Sequence, residues 1–124
     1  MDTVLSTSRC PAPPGMRIVA LHGHADLDTA AALARALHQA LDTAPVPGTL
    51  VVDCSDLTFC SSSGLNELLR ARRAANAAGI AFRLAAPSGQ VTRLLRVTEA
   101  DTVFDILAAR PLPPDRSVSV EGWV

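Results

Sequence analysis

At 124 residues and 13.0 kDa, the chain has room for one domain of about 100 to 200 residues and none for a second catalytic lobe. Hydrophobic residues at 48% and charged residues at 19% match the globular balance, which excludes a disordered polyelectrolyte. Lys+Arg 11 against Asp+Glu 12 leaves a formal charge of -1, too little positive charge to neutralise nucleic-acid phosphates or anionic lipid head groups. Residues 1 to 10 suit a first strand, which Pro11-Ala12-Pro13-Pro14-Gly15 stops and turns, so a hairpin partner should follow. Met16 to Leu21 is apolar on both faces and reads as that strand, ended by Gly23. From Asp26 to Leu41, apolar Ala30, Leu33, Leu37 and Leu41 recur at helical steps, and Asp26 or Asp28 can cap the first turn. Pro45, Pro47 and Gly48 break this helix, and Thr49 to Cys54 reads as a short buried strand.

Past Asp56-Leu57-Thr58-Phe59 comes the run Cys60-Ser61-Ser62-Ser63-Gly64. Leu65, Leu68, Leu69 and Ala75 then mark a second helix, with the serines at its N-terminus and its end at Gly79. Ile80, Phe82 and Leu84 form a third core strand. Pro87-Ser88 opens a helix carrying Val91, Leu94 and Leu95, and Val103 to Ile106 supplies a last short strand or helical start. Strand and helix alternate, which predicts an α/β fold with right-handed βαβ crossovers: a mixed, mostly parallel sheet of four to five strands packed by helices. The domain should occupy residues 1–110, with 111–124 an irregular Pro-rich tail. No apolar stretch approaches the roughly 20 residues that cross a bilayer, and Met1-Asp2-Thr3 lacks the basic flank of a signal peptide, so a cytoplasmic location without a membrane partner is expected.

Cys10, Cys54 and Cys60 match neither a zinc ribbon nor a disulfide framework, and Cys54, after Leu50-Val51-Val52, reads as a small buried hydrophobe. Two places could carry chemistry. His22-Gly23-His24-Ala25-Asp26 sets two imidazoles and a carboxylate at alternate positions, the pattern of a zinc hydrolase. Leu27 stands where such a family has its next ligand, and His38 is the sole histidine downstream, so the ligand count falls short and no metal is expected. The serine run is the second place. A helix N-terminus offers unpaired N–H groups and about half a positive charge, so a serine there either caps the helix or, phosphorylated, sets an anion at an electropositive end. A nucleophile elbow is excluded, because no glycine precedes the serines and no histidine follows them.

The chain resembles the STAS domain, and within it the bacterial anti-sigma factor antagonists. Leu21-His22-Gly23-His24-Ala25-Asp26 stands where that family has apolar-x-Gly-Glu-x-Asp. Val51-Val52-Asp53-Cys54-Ser55-Asp56-Leu57-Thr58-Phe59-Cys60-Ser61-Ser62-Ser63-Gly64-Leu65 reproduces most of apolar-apolar-Asp-apolar-Ser-x-Leu-x-Phe-x-Asp-Ser-Ser/Thr-Gly-Leu. The resemblance implies a non-enzymatic partner switch that regulates transcription. The unphosphorylated protein binds an anti-sigma factor that is also a serine kinase, phosphorylation ends that binding, and a phosphatase resets it. Ser62 maps onto the phosphoacceptor, and Asp26, Ser61, Ser62, Ser63 and Gly64 onto the partner surface. Ser61 stands where the family has Asp, and His24 where it often has Glu, which removes two carboxylates from that surface. The resemblance also admits a scaffold or ligand-sensing module whose serines are never phosphorylated. It implies no cofactor.

Overall fold

The apolar runs of the sequence assemble into one sheet. In the computed structural model, which describes residues 4–113, β1 (Leu5–Cys10), β2 (Met16–Ala25), β3 (Thr49–Cys60), β4 (Ala81–Ala85) and β5 (Asp105–Leu107) lie side by side in chain order. β1 runs antiparallel to β2, as a hairpin across the Pro-rich turn, and every later pair is parallel. The connections between parallel strands carry α1 (Ala30–Asp42), α2 (Ser62–Ala77) and α3 (Gly89–Val97). This is the mixed, mostly parallel α/β sheet expected from the sequence.

Strand alternation divides the core. Val19, Leu21, Leu50, Val52, Phe82 and Leu84 face the helices and pack against Leu33, Leu37, Leu65, Leu68, Val91 and Leu95. Ile18, Val51 and Ala85 turn to the opposite face, where Cys10, Met16 and Leu107 join them and no helix among the described residues contributes. α2 stops where the sequence says: Gly79 takes φ 75, the left-handed conformation that follows many helix ends.

Three boundaries differ from expectation. β2 does not end at Gly23 but runs on to Ala25, because Gly23, at φ 104, sits in an irregularity of the pairing with β3. An added Cβ there would stand 2.1 Å from the Val4 carbonyl oxygen, so only glycine lets β1 approach. β3 extends past Cys54 to Cys60, its outer half pairing with His22 to Ala25. Exposed Ser55, Asp56, Thr58 and Phe59 disguise this half as a loop in the sequence. α1 starts at Ala30 and not at Asp26, since the intervening residues bond among themselves. The Asp26 carboxylate accepts from the N–H groups of Asp28 (3.0 Å) and Thr29 (3.2 Å), and the Thr29 hydroxyl donates to the His24 carbonyl (2.9 Å). Near the C-terminus a 3-10 turn, Ala100–Thr102, precedes β5, and Phe104 packs against Phe82. Residues 111–113 carry no regular element, and residues 114–124 of the expected tail lie outside the described residues.

Arg17 of β2 is buried beneath α1 and donates to the carbonyls of Ala40, Thr43 (3.0 Å) and Pro45 (2.7 Å). The last carbonyls of a helix lack intrahelical donors and carry partial negative charge, so a guanidinium there both satisfies them and is itself solvated. Arg17→Met keeps the aliphatic stem and removes these bonds. It should lower stability by about 1–3 kcal/mol, read as a reduced urea midpoint at unchanged slope.

Candidate functional site

β2 and β3 run parallel and finish together, Ala25 opposite Cys60, so Asp26 and Ser61 leave the sheet from neighbouring strand ends. The carboxyl edge of a parallel sheet, where loops meet helix N-termini, is the usual place for recognition in such folds. Ser61 N–H donates to the Ala25 carbonyl (2.9 Å), which ties the two exits together. Gly64, one turn into α2, lies so close to β2 that an added Cβ would come within 2.5 Å of the Ala25 oxygen and 2.8 Å of its Cβ.

The serines have separate fates. Ser61 occupies the N-cap position in extended conformation, yet its hydroxyl makes no cap bond; the oxygen is buried and has no partner among the described residues. The serine at the N-cap position therefore does not cap the helix through its side chain. Ser62, the first residue of α2, is exposed, Ser63 is half-buried and Gly64 is buried. Gln90 of α3, which the sequence reading missed, reaches across to the strand end. Its Oε1 accepts from Cys60 N–H (2.7 Å) and its Nε2 donates to the Cys60 carbonyl (2.9 Å). Ser88, the N-cap of α3, donates to the Leu57 carbonyl (3.0 Å) and fixes the helix against the same strand.

Asp26 stands beside this loop, half-buried, with its carboxylate engaged in the turn before α1. Around it lie two apolar side chains that composition did not single out. Leu27 is 78% exposed, and Phe59 is 40% exposed with the His24 ring set edge-on against it at 5.9 Å. Phe59 was legible only as a letter of the family pattern. The edge thus presents a hydroxyl, acidic Asp26 and Asp28, and the exposed side chain of Leu27.

The residues of the zinc-hydrolase pattern go separate ways. His24 meets Phe59, Asp26 caps its turn, and His22 bonds Ser8 (2.9 Å) through Nε2 and Asp56 (3.1 Å) through Nδ1. Among the described residues no group of three His, Cys, Asp or Glu side chains is arranged to hold a metal ion. The Ser8–His22–Asp56 chain links three strands, and with Asp56 68% exposed it acts as a cross-strand tie in water. Asp53, legible from sequence only as a letter of the family pattern, is buried on the side of β3 away from the described helices. It accepts from Ser55 N–H (3.0 Å) and pairs with Arg110 (3.2 Å), which also donates to the Cys10 sulfur (3.0 Å).

The cysteines are free, Cys54 and Cys60 buried and Cys10 half-buried. Burial, then Cys60 and Asp53 nearby, pushes the Cys54 thiol up to about 12; burial alone raises Cys60 to about 11. A thiol whose pKa is raised by folding keeps its proton where the unfolded chain has lost it. Its stabilising effect is therefore complete below the ordinary value of 9.0 and is lost as pH climbs through about 11 and about 12. At pH 8 a thiol reagent should modify Cys10 alone in the native protein and all three thiols in urea, counted by mass. The urea midpoint should fall above pH 9.

A family model described as Mlab, STAS domain, matches residues 12–108. No curated protein matches the chain. Among solved structures, an anti-sigma factor antagonist from Mycobacterium paratuberculosis is similar at 22% identity over 98% of this chain and 96% of that one, with a TM-score of 0.71. A sulfate transporter family protein from Wolinella succinogenes matches at 14% identity over 79% and 80%, TM-score 0.68. The Bacillus cell fate determinant SpoIIAA in its phosphorylated form matches at 14% over 96% and 100%, TM-score 0.61. At such identities these likenesses are likenesses of fold.

Proposed function

The chain belongs to the STAS domain family, and on that premise we propose that it is a cytoplasmic anti-sigma factor antagonist. Its partner in this reading is an anti-sigma factor with serine kinase activity, bound when Ser62 is free and released when Ser62 carries phosphate, and a phosphatase resets the switch. The chain supplies the acceptor hydroxyl; phosphoryl transfer is catalysed by the partner. The observation that carries the reading is the exposed Ser62 hydroxyl at the start of α2, beside the turn of Asp26 and between a buried Ser61 oxygen and a buried Gly64. It is the open hydroxyl at a helix end whose electrostatics favour an added anion. Asp26, Ser61, Ser63 and Gly64 complete the contact surface, with Leu27 and Phe59 as its apolar anchors.

A pull-down from the native cell tests this, with wild type and Ser62→Ala as baits. Recovery of an anti-sigma kinase by both, with more on Ser62→Ala because it cannot be switched off, supports the reading. Recovery of transport proteins alone would replace it with a scaffold module, the reading favoured by Ser61 in the place of the family's Asp. Asp26→Asn separates contact from capping. The amide oxygen still accepts from the turn N–H groups, so the melting temperature should stay nearly unchanged. Affinity for the partner should fall about tenfold through the lost charge. Equal affinity would remove Asp26 from the surface.

A further inference from the structure

Ser61 and Ser62 are adjacent and chemically identical, yet one hydroxyl is buried without a partner among the described residues and the other is open. Burying a hydroxyl with no hydrogen bond is unfavourable, so a loop left free would turn the Ser61 oxygen out to water. Something must hold the strand end in place, and the pairing pattern identifies it. β4 pairs with β3 only as far as Asp53 opposite Ala85, so at Cys60 the β4 side of the backbone has no strand neighbour. The Gln90 carboxamide fills that vacancy, accepting from the Cys60 N–H and donating to the Cys60 carbonyl as a neighbouring strand would. On the other side, Ser61 N–H is tied to the Ala25 carbonyl. With both edges held, the backbone enters α2 in the one direction that turns Ser61 inward and leaves Ser62 outward.

Building on the proposed phosphorylation of this loop, we propose that Gln90 is a positioning residue that selects which serine accepts phosphate: its clamp on Cys60 withholds Ser61 and presents Ser62. Gln90 lies 30 residues from Cys60 in sequence and touches no serine hydroxyl. Its effect passes through the backbone of Cys60 alone.

The measurement is phosphate occupancy at each serine, mapped by tandem mass spectrometry on the full chain isolated from its native cell. Wild type should carry phosphate on Ser62 alone. Gln90→Leu removes both bonds at similar size and should raise the share of phosphate on Ser61 at least about tenfold. Gln90→Leu combined with Ser61→Ala should return to Ser62 alone. Gln90→Glu keeps the acceptor for Cys60 N–H but sets a carboxylate oxygen against the Cys60 carbonyl where the donor was, so it should likewise raise the share on Ser61 and serves if Gln90→Leu does not fold. Arg17→Met, which removes bonds away from this loop, is the control for general destabilisation and should leave phosphate on Ser62 alone. Phosphate confined to Ser62 in both Gln90 variants, or shared between the serines in wild type, would overturn the selection while leaving the phosphorylation switch intact. Phosphate on neither serine of wild type would overturn the switch itself and the selection with it.

Discussion

Phosphorylated on Ser62, the chain is expected to keep its backbone and lose its partner. A phosphate of about two negative charges at the α2 N-terminus gains only about 0.3 to 1 kcal/mol from the exposed helix end. That is too little to rearrange a sheet whose β2 and β3 are buried on both faces over residues 17–21 and 50–54 and whose strand end is clamped by Ala25 and Gln90. At an interface the same charge, desolvated and unpaired, costs several kcal/mol, and each 1.4 kcal/mol is about tenfold in affinity. Blocking of the surface therefore outweighs reshaping of the domain. NMR spectra of the two forms should differ only near Ser62, while titration with the anti-sigma partner should show affinity reduced by roughly a hundredfold or more. Ser62→Asp should reproduce this in part, with one charge and without the tetrahedral phosphate. Shifts spread across the sheet, or an unchanged affinity after full phosphorylation, would rule out blocking as the switch.

Gly64→Ala should be strongly destabilising although it adds a single methyl group. The new Cβ would sit 2.5 Å from the Ala25 carbonyl oxygen and 3.0 Å from its carbon, and these are backbone atoms of a central strand that cannot step aside. α2 must lift from β2, which opens the contact between Leu65, Leu68 and the sheet and disturbs the Ser61–Ala25 bond. A cost of about 3 kcal/mol or more is expected, at the upper end for overpacking, because the strain falls on two backbones at once. Gly89→Ala is the control. Its added Cβ meets nothing within 4 Å, so at the start of α3 it should be neutral or stabilising by up to about 1 kcal/mol. Denaturant midpoints of the two variants decide the matter, and similar values would mean that close approach at Gly64 does not govern the loop.

The clamp and the close approach bear on partner switching in the same way. A switch that works by covering or uncovering one hydroxyl needs a rigid stage, so that the added charge acts on the partner and is not absorbed by a yielding loop. The supports come from three elements: the Ala25 carbonyl of β2, the small Gly64 of α2 and the carboxamide of α3. The Ser8–His22–Asp56 tie and the Asp53–Arg110 pair engage the other part of the sheet and leave the serine edge free to meet a partner.

Amino-acid order alone determined the alternation of strand and helix, the hairpin across Pro11–Gly15, the stop at Gly79 and the serines at a helix start. Each of these depends on local chemistry: apolar period, a missing N–H, a left-handed turn. The Val51 to Leu65 pattern also carried the family and with it the expectation for Ser62, as Leu21 to Asp26 carried the expectation for Asp26. Tertiary structure alone decided the rest. Ser55 to Phe59 reads as a polar loop because periodicity records burial, and this half of β3 is strand by virtue of its pairing with His22 to Ala25. Arg17 finds its carbonyls, Asp53 its guanidinium and Cys60 its carboxamide at separations of 23 to 57 residues, where no spacing rule reaches. Even the neighbouring serines differ only because the strand end is held from both sides. A local pattern can put hydroxyls at a helix end, but which of them meets water follows from bonds made by residues far along the chain.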